Sequence, residues 1–190
     1  MERFAPGPLA GRRLHVGCGP QRLERWVNAD LEPHPAVDVI LDARRDLPFA
    51  DATFTCVFAE HFLEHLDRDQ GRRFLAECRR VVRPHRGVIR VSTPNLDWVW
   101  STHYRYPADD DLKRAGAFHL NQAFHGWGHR YLYNDVALRD ALEEAGFNDV
   151  RFFRYGESDR PELTGIERHE INRYQTSEEL PDVVIAQGYA

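Results

Sequence analysis

The stretch LHVGCGPQRLERWVNADLEPHPAVDVILD, residues 14–42, decides the fold. Three short apolar runs stand in it, each closed by a turn signal. Leu14 to Val16 enters Gly17-Cys18-Gly19, while WVNAD (26–30) and VDVILD (37–42) each finish on an aspartate. Brief runs rich in β-branched and aromatic residues read as strands buried on both faces. Working outward, TFTCVFAE (53–60) is a fourth strand. DRDQGRRFLAECRRVV (67–82) places Phe74, Leu75, Cys78, Val81 and Val82 at helical spacing behind Asp67, a suitable N-cap. After the PHRG turn, GVIRVSTPN (87–95) is a fifth strand. YNDVALRDALEEAGF (133–147) is a helix capped by Asn134 and stopped at Gly146, and VRFFRY (150–155) and DVVIAQGY (182–189) complete the strands.

Strands alternating with helices predict an α/β chain, a three-layer sandwich around a Rossmann-like, mostly parallel sheet of about seven strands. Only LEPHPA (31–36) joins strands two and three, whereas a parallel crossover usually takes about a dozen residues. The helix layer is therefore expected to be trimmed, its second helix missing and strand three at the sheet edge. Residues 96–128 break the rhythm with many aromatics and an Asp109-Asp110-Asp111 run. They are expected to form an inserted cover segment within a single domain spanning 1–190.

Bulk composition narrows the function classes. At 190 residues, 42% hydrophobic and 29% charged, the chain has the make-up of one globular domain. A net charge of −5 argues against nucleic acid, whose phosphates need a basic face. The arginine pairs are scattered among acids and read as solvated surface. Cys18, Cys56 and Cys78 form no C-x-x-C pair, which fits a reduced, cytoplasmic protein. The N-terminal MERFAPGPLAGRR lacks the apolar core of a signal peptide, and no run is long enough for a membrane span.

HFLEH (61–65) spells His-x-x-Glu-His, the inverted zinc-protease signature. Such a site needs a regular helix and a third ligand. His61 stands where the fourth strand ends, and no third ligand is indicated, so no metal is expected. The second pair, His125 and His129 in HGWGH, is interrupted by two glycines and reads as loop.

Open parallel sheets bind ligands beyond the carboxyl ends of their strands. Gly17-Cys18-Gly19, Asp30 and Asp42 all fall there. Glycines allow close backbone approach, and a strand-end carboxylate can accept from a ribose diol or an exocyclic amine. The acid follows the glycines at about half the ~20-residue spacing of a dinucleotide fingerprint, which disfavours a nicotinamide-dependent oxidoreductase.

Taken in order, LHVGCG, VNADL, LDARRDLPFADATF, VFAEHFLEHL and CRRVVRPHRGVIRVSTPN resemble the motifs of class I S-adenosylmethionine-dependent methyltransferases of the small-molecule, type 11 kind. GWGHRYLYNDVALRDALEEAGF and GESDRPELTGIERHE resemble a bacterial subgroup often linked to polysaccharide or glycan assembly. The resemblance implies S-adenosylmethionine as cofactor, held by Gly17, Cys18, Gly19, Asp30, Leu31, Asp42, Ala43 and Glu60. It implies methyl transfer to a small-molecule or glycan-type acceptor, on oxygen or nitrogen. His61 and His129 are then the catalytic candidates and His125, Arg130 and Tyr131 the acceptor-binding ones; the aromatic segment reads either as an acceptor-binding cover or as a packed flap or homodimer contact. A cofactor-binding partner without catalysis, inside a biosynthetic complex, is the alternative. The sequence departs from the family pattern at His15, where an acid is usual, at Gln21, where a third glycine is usual, and at Thr55.

Overall fold

The computed structural model describes residues 12–103, 109–169 and 180–190. Seven strands form one open sheet: β1 (Arg12–Val16), β2 (Trp26–Asp30), β3 (Val39–Ile40), β4 (Phe54–Glu60), β5 (Val88–Pro94), β6 (Asp149–Phe152) and β7 (Val183–Tyr189). Their order is β3-β2-β1-β4-β5-β7-β6, with β7 antiparallel to both of its neighbours and the remaining pairs parallel. Strand order reverses between β2 and β4 across β1, so the open crevice lies beyond the ends of those strands. The Rossmann-like sheet expected from the sequence is present, with β3 at its edge.

Alternation along the strands sorts the two faces. Leu14, Val16, Val27, Ala29, Val57, Ala59, Ile89 and Val91 share one cluster with Phe74, Leu75, Cys78 and Val81 of α1 (Arg68–Val81) and Leu138, Ala141 and Leu142 of α4 (Asp135–Glu144). Both helices start as their sequences predict. Asp67 and Gln70 exchange capping-box bonds, and the Asn134 side chain accepts from the Ala137 amide.

The opposite face is trimmed further than expected. Its apolar cluster, Leu23, Trp26, Cys56, Phe58, Val88, Leu163 and Ile166, takes no residue from any α-helix. Neither the β1–β2 nor the β2–β3 connection contains one. Polar bonding holds those connections instead. The Asn28 side chain accepts from the Leu23 amide at 2.9 Å and donates to Leu23 O at 3.0 Å. Asp38 accepts from Asn28 N at 3.0 Å and from the Arg22 guanidinium at 2.9 Å. Further along this face, Arg90 and Glu167, both fully buried, pair at 2.5 Å, and Arg90 also donates to Gln187 Oε1 at 2.8 Å. Segment 153–169 is thereby fastened across the sheet where a helix layer would otherwise lie.

Two further helices, α2 (Leu96–His103) and α3 (Asp110–Asn121), and a π-helical turn, Gln122–Gly126, make up most of the expected cover. Val99, Ala123 and Leu132 form a separate small core beneath it, and α3 buries none of its residues. No helix among the described residues is long and apolar enough to cross a membrane.

Candidate functional site

Two cavities open beyond the strand ends and share His61 and His65. The first, about 380 Å³, is lined by Val16, Gly17, Asp30, Leu31, Asp42 and Ala43, with Leu41, Arg44, Phe62 and Leu66. Its floor requires glycine: Gly17 has φ +68°, and a Cβ there would stand 2.5 Å from Phe62 Cδ2. The Gly17 amide donates to Ala29 O at 2.9 Å, tying the turn to β2. Asp30 accepts from the Gly19 amide at 2.8 Å and from the Glu32 amide at 3.0 Å, so it braces the turn while facing the cavity. Asp42 is held in a fork by Arg44 at 2.7 and 2.9 Å; that hydrogen bond, before all other causes, keeps its carboxyl below the usual range.

Of the eight cofactor-binding residues predicted, Gly17, Asp30, Leu31, Asp42 and Ala43 line this cavity. Cys18 and Gly19 do not. Cys18 is buried, which pushes its thiol up to about 11, and Gly19 acts through its bond to Asp30. Glu60 does not line the cavity either. Its carboxylate accepts from the Arg168 amide at 3.0 Å and from His169 Nδ1 at 2.5 Å, so it anchors segment 153–169 rather than facing the cavity. His15, in the place of the usual acid, is buried between Asn28 and Phe58.

The second cavity, about 520 Å³, lies under the cover. His61, Glu64, His65, Pro94, Trp98, Val99, His103, His119, Gln122, Ala123, Trp127, His129 and Asp182 line it. Five imidazoles and two indoles share this wall with the carboxylates of Glu64 and Asp182. Predicted acceptor residues His125, Arg130 and Tyr131 are absent from that lining. His125 and Arg130 are exposed. Backbone amides of Arg130 and Tyr131 bind Glu64 O at 2.7 and 3.3 Å, and the Tyr131 side chain turns toward α1 and α4.

Both catalytic candidates do line it. His61 sits at φ +45°, a left-handed conformation uncommon for a non-glycine residue, fixed by its amide bond to Ser92 O at 2.9 Å. Its Nδ1 is 3.0 Å from Glu64 Oε1, and its Nε2 is buried without a partner among the described residues. A carboxylate only accepts, so Nδ1 carries the proton and Nε2 is left with a lone pair. Burial pulls the imidazolium down, but the bond to Glu64 and its charge outweigh this, and the net shift is upward. His129 Nδ1 lies 2.7 Å from Ala123 O and must donate to it; burial leads the downward shift of its pKa.

Trp98 and Trp127 belong to the aromatic cover segment, whereas Glu64, His65, His103, His119 and Asp182 were not among the predicted site residues. Glu64, fully buried, takes a hydrogen bond from Thr93 Oγ1 at 2.9 Å. Among the described residues, Glu64, His65 and His129 bring one ligand atom each within 4.8 Å of one another. The HFLEH spelling pointed at Glu64 and His65. The resemblance pointed separately at His129, far along the chain, and nothing in the sequence joined the three.

Residues 20–89 match the family model described as a methyltransferase domain. Solved structures share the fold. An S-adenosylmethionine-dependent methyltransferase from Archaeoglobus fulgidus superposes with a TM-score of 0.60 at 18% identity, over 95% of this chain and 86% of that one. One from Thermotoga maritima gives 0.57 at 17% identity, over 94% and 82%. One from Mesorhizobium loti gives 0.54 at 14% identity, over 96% and 92%. At these identities the likeness is one of fold. No curated protein sequence matches the chain.

Proposed function

We propose that the chain is a class I S-adenosylmethionine-dependent methyltransferase that methylates a hydroxyl or amine of a small-molecule or glycan-type acceptor held in the 520 Å³ cavity. The observation that carries this reading is the meeting of the two cavities at His61 and His65. The smaller cavity fits the cofactor. Its size falls in the range of small-ligand sites, its glycine floor admits close approach, and Asp30 presents a carboxylate to a ribose diol. Gly17, Asp30, Leu31, Asp42 and Ala43 would hold it. When bound, the cofactor supplies a methyl group on a sulfonium with a neutral leaving group.

The protein's own part is alignment and exclusion of water. Trp98 and Trp127 line the larger cavity, offering apolar surface to an acceptor, and the cover overhangs it. His61 stands on the rigid exit of β4, between the cavities, with Nδ1 held by Glu64 and Nε2 free to take a proton from an acceptor hydroxyl. A positioned base of this kind contributes on the order of 10²–10⁴ in rate. His129 lines the same cavity from the far side and orients the acceptor.

The test is a binding and turnover series. S-adenosylhomocysteine should bind one site per chain where NAD does not. Methyl transfer from labelled S-adenosylmethionine should then be followed over small hydroxyl and amine acceptors, sugars included. His61→Ala should lower turnover on a hydroxyl acceptor by about 10²–10⁴ with cofactor affinity nearly unchanged. Absence of S-adenosylhomocysteine binding removes the whole reading. Full turnover in His61→Ala removes only the base.

A further inference from the structure

We propose that Glu64, His65 and His129 form a binding site for a divalent transition-metal ion in the wall of the larger cavity. One ligand atom of each lies within 4.8 Å of the others. Ligands at about 2.1 Å from one ion stand about 3.4 Å apart in a tetrahedron, so side-chain shifts of about 1 Å close the group. Both histidines are half-buried and line the open cavity, which leaves their rings room for that movement.

Three features support an ion here over an incidental cluster. First, Glu64 is a fully buried carboxylate whose ion-pair partner, among the described residues, is an imidazole rather than a lysine or arginine. A buried carboxylate needs a compensating cation, and a metal is the strongest available. Second, the partners that orient metal ligands are already in place. His129 donates Nδ1–H to Ala123 O at 2.7 Å, leaving Nε2 as the ligand atom. His61 Nδ1 and Thr93 Oγ1 each donate to one oxygen of Glu64, at 3.0 and 2.9 Å, and each oxygen keeps a further lone pair. Third, the site faces a 520 Å³ cavity, so an ion held by three protein groups keeps coordination positions open toward a guest.

Two imidazoles and one carboxylate suit Zn²⁺, Mn²⁺, Fe²⁺, Co²⁺ or Ni²⁺ and disfavour Mg²⁺ and Ca²⁺, which prefer all-oxygen shells. The HFLEH pattern is thus used differently from a zinc protease. Glu64 and His65 are ligands, His61 positions Glu64, and the third ligand arrives from beyond the cover. The site stands on this geometry alone; only its use, offering an acceptor oxygen or nitrogen to the ion beside His61, rests on the methyltransferase reading.

The experiment uses the full chain stripped by chelation and then titrated with Zn²⁺ and with Co²⁺, read by calorimetry, elemental analysis and the visible absorption of bound Co²⁺. One ion per chain is expected. His65→Ala and His129→Ala should each abolish stoichiometric uptake, His61→Ala should weaken it about 10–100-fold, and surface His85→Ala should leave it unchanged. Circular dichroism accompanies each variant. Should His65→Ala fail to fold, the half-buried His129→Gln decides in its place. No uptake by the wild type, or uptake that survives loss of His129, overturns the site. S-adenosylhomocysteine is titrated into the same stripped sample. Its binding without ion uptake refutes the metal site alone, whereas ion uptake without its binding refutes the methyltransferase reading alone.

Discussion

Acidification should destabilise this protein through one identifiable residue, His15. Its side chain lies in β1, 2% exposed, stacked on Phe58 with ring centroids 5.2 Å apart and 3.3 Å from Asn28 Oδ1. Burial lowers its pKa from 6.5 to about 4, against smaller opposing effects of Asn28, Glu60 and Asp30. As pH falls, the unfolded chain binds a proton at His15 near 6.5 while the folded chain stays neutral until about 4. Stability from this residue is therefore complete above pH 6.5, lost progressively down to pH 4, and flat below. Between about pH 7.5 and pH 5.0 the loss amounts to ~2 kcal/mol by proton linkage, of the ~3.4 kcal/mol available over the whole window. Urea unfolding at the two pH values would measure it, in the wild type and in His15→Phe, which retains a ring against Phe58 but cannot titrate. Carboxylates elsewhere affect both proteins equally and cancel in the difference. The gap between the two proteins should shift by ~2 kcal/mol in favour of the variant at the lower pH. A gap independent of pH would mean that His15 protonates in place, and the buried polar face described above would be wrong.

Gly17→Ala should crowd Phe62 and weaken S-adenosylhomocysteine binding by about tenfold or more, while Gly19→Ala, with nothing within 4 Å of its Cβ, should show only the ~1–2 kcal/mol cost of left-handed backbone. Equal affinities in calorimetry would remove the crowding argument. Asp30→Ala should cost about 1–3 kcal/mol in cofactor binding, since a charged acceptor and the brace on Gly19 are lost together; unchanged affinity would take Asp30 out of the site. Hydrogen exchange should find α3, which buries nothing, among the fastest segments and β4 and β5 among the slowest, with α3 slowing when cofactor and acceptor bind. Protection of α3 equal to that of β4 in the free protein would make the cover a fixed wall.

The side of the fold built from local pattern was legible. Each strand was a short apolar run, and α1 and α4 announced themselves by spacing and by Asp67 and Asn134 at their starts. The six-residue link LEPHPA correctly foretold an edge strand without a crossover helix, and β3 shrinks to Val39–Ile40 with Ile40 left 63% exposed. What pattern could not reveal was the helix-poor face. Arg90, Glu167 and Gln187 are polar, so hydropathy marks them as surface, yet all three are buried, with Arg90 bonded through Nε to Glu167 and through Nη1 to Gln187 across 77 and 97 residues of sequence.

The site divides along the same line, and for the same reason. The smaller cavity is lined by strand termini, and the end of a parallel strand faces the crevice whatever else the chain does; that Gly17, Asp30 and Asp42 lie together there was legible from order alone. Glu60 is also a strand terminus, but the long-range pairing intervenes. The Arg90–Glu167 pair pins segment 153–169 to the sheet, and the next two residues, Arg168 and His169, then reach the Glu60 carboxylate. His169 in turn stands edge-on to His61 with centroids 4.4 Å apart. The segment that stands in for a helix layer thus also forms the second wall of the residue between the two cavities. His61 is held from one side by Glu64 and from the other by a stretch more than a hundred residues away. Its left-handed backbone persists because these contacts over-determine it. The helix-poor face is accordingly part of how the site is positioned, since a helix in that place would bring neither Glu167 to Arg90 nor His169 to His61.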